Sequence, residues 1–298
     1  MFFWGQDFCA WVIDYCYCFF CKKQYTHLHG NTHPRDTPWN MPNLMNFPLL
    51  VFVVSFFVLW LSARAGVFVH ERRGSLDEQA REDFGVVLAA TLTLLGLIIG
   101  FSFSMAISRY DQRKNYEEEE ANAIGTEFLR VQLLPAADAE KLQRLLVSYL
   151  DQRIQFYEAR FESQLKPINA DTAQLQSTLW SSVRVPAAAQ PNPVVALAVS
   201  GMNDVLNSQG YTQAAWWNRI PIAAWGLMGA IAVCSNIMIG YGVRRAKASS
   251  ILLVVLPLIV SISFLLIADI DSPRGGIIRV RPINLISLSQ SLHIQGNQ

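Results

Sequence analysis

Charge is scarce in this chain. Asp, Glu, Lys and Arg make up only 16% of its 298 residues, against about 25% in soluble domains. Hydrophobic residues reach 52% and are gathered into long blocks, which places the chain among membrane proteins. A net charge of +1 gives no overall pull toward a polyanion. With no nucleic-acid motif either, nucleic acid is excluded as a partner. Cysteine is nearly absent after residue 21: Cys9, Cys16, Cys18 and Cys21 are followed only by Cys234. The spacing C-Y-C-F-F-C lacks the second, distant pair of a zinc site. Cys234 lies in an apolar run and reads as a small hydrophobe. Histidines stand at 27, 29, 33, 70 and 293, none beside a sequence-adjacent chemical partner. No phosphate loop, HExxH or nucleophile–base pair is present, so the expectation is no enzyme, no metal and no cofactor. Runs of alternating β-branched residues are missing too, which excludes a sheet of useful length.

Residues 1–44 differ from the rest. They are rich in aromatics and cysteine and then pass into a His, Pro and Asn loop. Lys22-Lys23 follows the apolar run instead of preceding it, unlike a signal peptide. Asp7 and Asp14 interrupt any membrane helix. The favoured reading is an extension before a chain that starts at Met41 or Met45. An intact mass that includes Met1 would overturn it.

Four apolar segments follow. The first is 47–63, extendable to residue 69 with Arg64 snorkelling. The second is 84–107. The third is 220–243, with Asn236 as its one strongly polar residue and Trp216, Trp217 and Trp225 at its start, where an interfacial aromatic belt belongs. The fourth is 251–268, with a kink expected at Pro257. The expected fold is an all-α membrane protein: four transmembrane helices in two hairpins, with a helical soluble domain inserted between them. Residues 45–108 form the first hairpin, 109–219 the soluble domain, 220–268 the second hairpin and 269–298 a tail. The positive-inside rule does not orient it. The short loops carry Arg64, Arg72, Arg73, Arg81, Arg244, Arg245 and Lys247. The other face carries Arg109, Arg113, Lys114, Arg219, Arg274, Arg279 and Arg281.

Small residues recur in the spans. Gly96 and Gly100 form a GxxxG, continued at the same spacing by Ser104, while Gly226, Ala230 and Gly240 mark the third span. Such spacing lets helices approach closely in lipid. It fits packing within one subunit or a contact between subunits.

The second span continues into water without a turn signal. Residues 109–134 are rich in good helix formers and end at Pro135. Asp138 is a candidate N-cap for the next helix. Leu142, Leu145, Leu146, Tyr149, Ile154 and Phe161 mark its apolar stripe, and it is expected to run to Lys166, before Pro167. A shorter helix over 170–185, a proline-rich connector over 186–193 and a helix over 194–209 stopped by Gly210 complete the domain.

Three charged features carry open readings. Arg113–Glu117 and Lys114–Glu118 stand at i,i+4. The acidic run 117–120 is either a solvated face or an acidic ring that concentrates cations in a symmetric assembly. Arg109 is either an interface anchor or an arginine beside a pore. Asp269 and Asp271, followed by Arg274, form either a structural turn or an ion clip, although calcium asks for six to eight oxygens.

The second span, G-F-S-F-S-M-A-I-S-R-Y-D from Gly100, resembles the second membrane helix of the bestrophin anion channels, which reads G-F-Y-V-T-L-V-V-T-R-W-W. Residues 49–280, with E-E-A-N-A-I-G-T from Glu119 and D-x-D-x-P-R-G-G from Asp269, look more closely like a bacterial bestrophin-like membrane family of unknown function (the DUF4239 group). Bestrophins are pentamers whose second helix lines a pore with a hydrophobic neck. The resemblance puts the neck at Thr93, Leu97 and Phe101, with Thr93 a hydroxyl where the family is apolar. On the sharper reading of the charged features, Arg109, Glu117 and Glu120 would supply vestibule charge. The resemblance also implies a homo-oligomer, a pentamer by that analogy, in contact with membrane lipid and small ions. By the same analogy the soluble domain is cytoplasmic, on a bacterial inner membrane. The family's acidic calcium clasp has no match here. An anion channel leads; a non-conducting scaffold or sensor whose helical domain binds a partner is the alternative, and a transporter comes third.

Overall fold

The computed structural model describes residues 46–73, 77–243 and 251–295, all within one compact unit of residues 42–298. The expected extension, the four early cysteines, three histidines and the loop cations at 244–247 lie outside the described residues. Among the described residues there is no strand.

Helix α1 spans Pro48–Arg73 and α2 spans Glu78–Arg130. Asp77 caps α2, its Oδ1 accepting from the Glu78 N–H at 2.8 Å. At 53 residues and 1.5 Å per residue, α2 is about 80 Å long. A 3₁₀ turn over Val131–Leu133 ends it ahead of Pro135, as the sequence predicts. The bundle then comprises α3 (Ala136–Glu158), α4 (Glu162–Ala189) and α5 (Pro193–Trp217). Two spans follow, α6 (Ile222–Gly242) and α7 (Leu252–Asp271), and then α8 (Ile283–Gln295). Among the described residues, four helical stretches are long and apolar enough to cross a membrane, and each overlaps one of the four expected segments.

Several expected boundaries move. Pro135 takes the N-cap position of α3, which leaves Asp138 in the first turn, where a carboxylate still favours the helix dipole. The break after α3 falls at Ala159, not at Pro167. Arg274 explains it, because its Nη1 donates to the carbonyls of Phe156 at 2.8 Å and Ala159 at 2.7 Å. A cation from the far end of the chain thus satisfies the orphaned carbonyls of a helix end. Gln164 Oε1 then accepts from the N–H groups of Arg160 and Phe161 and restarts the chain as α4. That helix absorbs the expected shorter one and runs through both Pro167 and Pro186, leaving Gln190 to Asn192 as the connector. Helix α5 likewise passes Gly210. Beyond that residue Thr212, Ala215 and Trp216 are buried, which outweighs a glycine cost of about 1 kcal/mol.

Two cores result. In the spans, Leu59 of α1, Leu95 and Ala106 of α2, Met228 and Ala232 of α6 and Phe264 of α7 pack together. Helix α1 packs mainly on α6 and α7. Its closest approach to α6 is at Gly66, which faces the Ile237 carbonyl, and at Gly240, which faces the Ala63 carbonyl. A β-carbon at either would collide with backbone. Gly96, Gly100 and Gly226, by contrast, have nothing within 4 Å of where a β-carbon would stand. The bundle core gathers Ile124, Leu142, Leu146, Tyr149, Phe156, Leu179, Met202, Trp216 and Leu285. Trp216 therefore belongs to this core and not to an aromatic belt, while Trp217 is exposed. Phe161 also leaves the expected stripe and is exposed, because α3 has already ended.

Candidate functional site

The second span shows two faces. Leu95, Ser102 and Ala106 are buried against the other spans, whereas Thr93, Leu97 and Phe101 are exposed. Their four-residue spacing keeps the three on one side of the helix. Thr93 returns its hydroxyl to the Ala89 carbonyl at 2.9 Å, so much of its polarity is spent on its own helix.

Below the span, the buried face of α2 changes from apolar to ionic. Arg113, Glu117, Glu120, Ile124, Glu127 and Val131 are all buried, at alternating steps of four and three. Arg109 starts this region, with its Nη1 3.5 Å from Asp271 Oδ1.

Arg113 ties helix ends together. Its Nε donates to the Ala215 carbonyl at 3.3 Å and Nη2 to that of Asn218 at 3.3 Å, both at the end of α5. Nη1 reaches the Ile270 carbonyl at 3.3 Å and Nη2 that of Asp271 at 3.2 Å, at the end of α7. One cation so answers the negative ends of two helix dipoles. Burial lowers its pKa to about 10, with Asp271 opposing and Arg219 and Arg109 adding to the shift. It remains charged at neutral pH. The Asp271 carboxylate in turn accepts from the Ile220 N–H just ahead of α6, at 3.2 Å to each oxygen.

Glu117 and Glu120 require a correction. They do not carry vestibule charge, because both are inside the protomer. Glu117 Oε1 accepts from the N–H groups of Asn284 at 2.9 Å and Leu285 at 3.0 Å, and Oε2 from the Asn284 side chain at 2.6 Å. It therefore holds the positive end of α8. Glu120 pairs with Arg153 and accepts from the Tyr157 hydroxyl at 3.1 Å and the Thr212 hydroxyl at 3.2 Å. Burial, with Glu120 adding, pushes the Tyr149 and Tyr157 phenols above their ordinary range. Arg113 does not pair with Glu117 at i,i+4. Of the acidic run only Glu118 and Glu119 face out.

Glu127 was not anticipated. Both its oxygens are buried without a hydrogen-bond partner, against Gly201 of α5. Burial pushes its pKa up to about 8, with Arg130 opposing and Asp204 reinforcing the rise. The signal lay in the four-and-three spacing of α2's charges, which is the period of a buried stripe and not of a solvated one. Asp269 is spent on its own turn, accepting from the N–H groups of Ile277 and Ile278 at 2.8 Å each.

The family profile described as the Bestrophin-like domain matches residues 50–285. The chain belongs to this bestrophin-like family. Among solved structures, a bacterial bestrophin homologue from Klebsiella pneumoniae, phased on zinc, is 12% identical over 84% of this bestrophin-like chain and 98% of its own, with a TM-score of 0.56. A tryptophan-to-alanine variant of a Klebsiella pneumoniae homologue gives 13% identity, the same 84% and 98% coverage and a TM-score of 0.58. At such identity the likeness shows the fold. No curated protein matches the chain. The bestrophin-like chain is an integral membrane protein whose second span runs unbroken into its helical bundle.

Proposed function

We propose that this protein assembles as a pentameric anion channel of a bacterial inner membrane, with α2 of each copy around the central axis. One observation carries the reading. Helix α2 crosses the apolar layer with one face packed on its own subunit and the opposite face exposed and free of formal charge from Phe84 to Ser108. A face without charge needs no partner in lipid, and in a ring it suits a narrow dry neck that gates by wetting. Thr93, Leu97 and Phe101 are the neck residues of this reading. Arg109 stands at the exit, its charge partly answered by Asp271. Gly96 and Gly100, open in the single chain, suit close contact with a neighbouring copy. The helical bundle is placed in the cytoplasm.

Planar-bilayer recording of purified protein tests this. Current carried by chloride is expected, and Phe101→Ala should raise conductance by widening the neck. A silent bilayer for both proteins would sink the reading.

A further inference from the structure

Five acidic side chains are buried among the described residues, and four of them are answered. Glu117 accepts from the start of α8, Glu120 pairs with Arg153, and Asp269 and Asp271 accept from backbone N–H groups. Glu127 is the exception. It has no exposed surface, and neither of its oxygens has a hydrogen-bond partner among the described residues.

Its carboxyl occupies a recess made by Gly201 of α5, the helix on which α2 packs most. A β-carbon at Gly201 would collide with Glu127 Oε2 and would stand 2.6 Å from Arg130 Nη1. The neighbours along both helices are apolar: Ile124 and Val131 on α2, and Ala198, Met202 and Val205 on α5, all in the bundle core. A missing side chain thus admits an acid into a seam of hydrocarbon.

Two charged groups act on this acid, Arg130 from α2 and Asp204 from α5. The Arg130 cation is engaged elsewhere, with its Nη1 3.7 Å from Asp204 Oδ2. No cation stands within ion-pair distance of Glu127 among the described residues. Helices α3 and α8 also pack on α2, but neither contributes a charge that acts on it. Burial, opposed by Arg130 and reinforced by Asp204, pushes its pKa up to about 8.

We propose that Glu127 is a proton-operated latch on the seam between α2 and α5. With its proton the carboxyl is neutral, and the seam closes over it. Giving that proton to water leaves a full negative charge, which an apolar seam does not hold without a partner. The seam then opens locally and hydrates the carboxylate. The latch sits on the bundle arm of the helix that carries Thr93, Leu97 and Phe101, so pH acts on how that arm is seated. The latch does not depend on conduction.

The sign follows from linkage. A hydrated glutamate releases its proton near pH ~4.3, the closed one at about pH 8. Between those values each opening releases one proton, so opening becomes about tenfold easier per pH unit. Above about pH 8 the effect levels off.

The full-length protein in nanodiscs provides the test. Infrared titration should find a neutral carboxyl band at neutral pH, lost at a midpoint of about 8 and absent from Glu127→Gln. Asp204→Asn, at an exposed position, should lower that midpoint and Arg130→Gln should raise it, opposite signs that a merely structural role does not produce. Those opposite shifts decide the matter even if Glu127→Gln fails to fold. Hydrogen exchange, corrected for its intrinsic pH dependence, should show amides beside Glu127 and Gly201 losing protection about tenfold per pH unit in the window below the midpoint. They should exchange ahead of the α3 core around Leu146 and Tyr149, which marks the opening as local. An ionised Glu127 at neutral pH, seam amides that exchange only together with the α3 core, or a pH dependence that survives in Glu127→Gln would overturn the proposal. No readout uses current, so failure here and failure of the channel reading are distinguishable.

Discussion

Glu120 and Arg153 sit at zero exposure in the middle of the bundle, held by hydroxyls from two further side chains. Such a pair is worth less than its loss. Glu120→Gln leaves Arg153 buried without its charge partner, an imbalance of about 3–5 kcal/mol. Guanidinium unfolding in detergent should show a drop of that order, and the double change Glu120→Leu with Arg153→Met should recover most of it. Glu127 behaves oppositely, as a lone acid faced by Arg130 and Asp204. In the folded chain it keeps its proton up to about pH 8, whereas an unfolded glutamate releases it near pH ~4.3. The native state thus binds more protons between those values, and stability falls as pH rises through that window. Glu127→Gln is expected to flatten this slope in thermal unfolding across the window. An unchanged slope would mean that other groups set it.

Helices α1 and α6 cross where Gly66 and Gly240 let the backbones touch. Gly240→Val should therefore lower stability by about 1–3 kcal/mol, the usual overpacking range, read as a fall in the unfolding midpoint. Gly226→Val, open on its side, should cost far less. Glycine spacing alone could not separate these two positions, because it shows where helices can approach and not which partner arrives. The spans themselves were legible, since hydrocarbon demands long uncharged runs and Phe84 to Ile107 supplies one. The end of α2 ahead of Pro135 was legible for a local reason, the clash by which a proline bars the residue before it from helical backbone. The break at Ala159 was not, because it depends on Arg274 more than a hundred positions along the chain. Pro167 and Pro186 misled for the same reason, as tertiary contacts kept α4 whole around them. Helix α8 was hidden in the tail because Glu117, remote in sequence, caps its first N–H groups. Of the candidate site, Thr93, Leu97 and Phe101 came from the family resemblance, and their four-residue spacing is consistent with the one exposed side of α2 on which they stand. Glu117 and Glu120 were misread because acidity suggested water, while their spacing matched the buried stripe.

Taken whole, one chain leaves much of its apolar surface without a partner. Leu97 and Phe101 on α2 are exposed by 52% and 64%, and lipid or neighbouring copies must cover that surface. Mass photometry of detergent-purified protein should report five copies; a monomer or dimer would leave no axis for α2 to surround. Those copies would share a mechanical property. Helix α2 is a single stiff beam from Glu78 to Arg130, and the Arg113 guanidinium clamps it to the ends of α5 and α7 near the water boundary. Were the beam to pivot on that clamp, a swing of its bundle end would move its membrane end in the opposite sense, and a shift in water would reach the lipid-embedded arm without any loop rearranging.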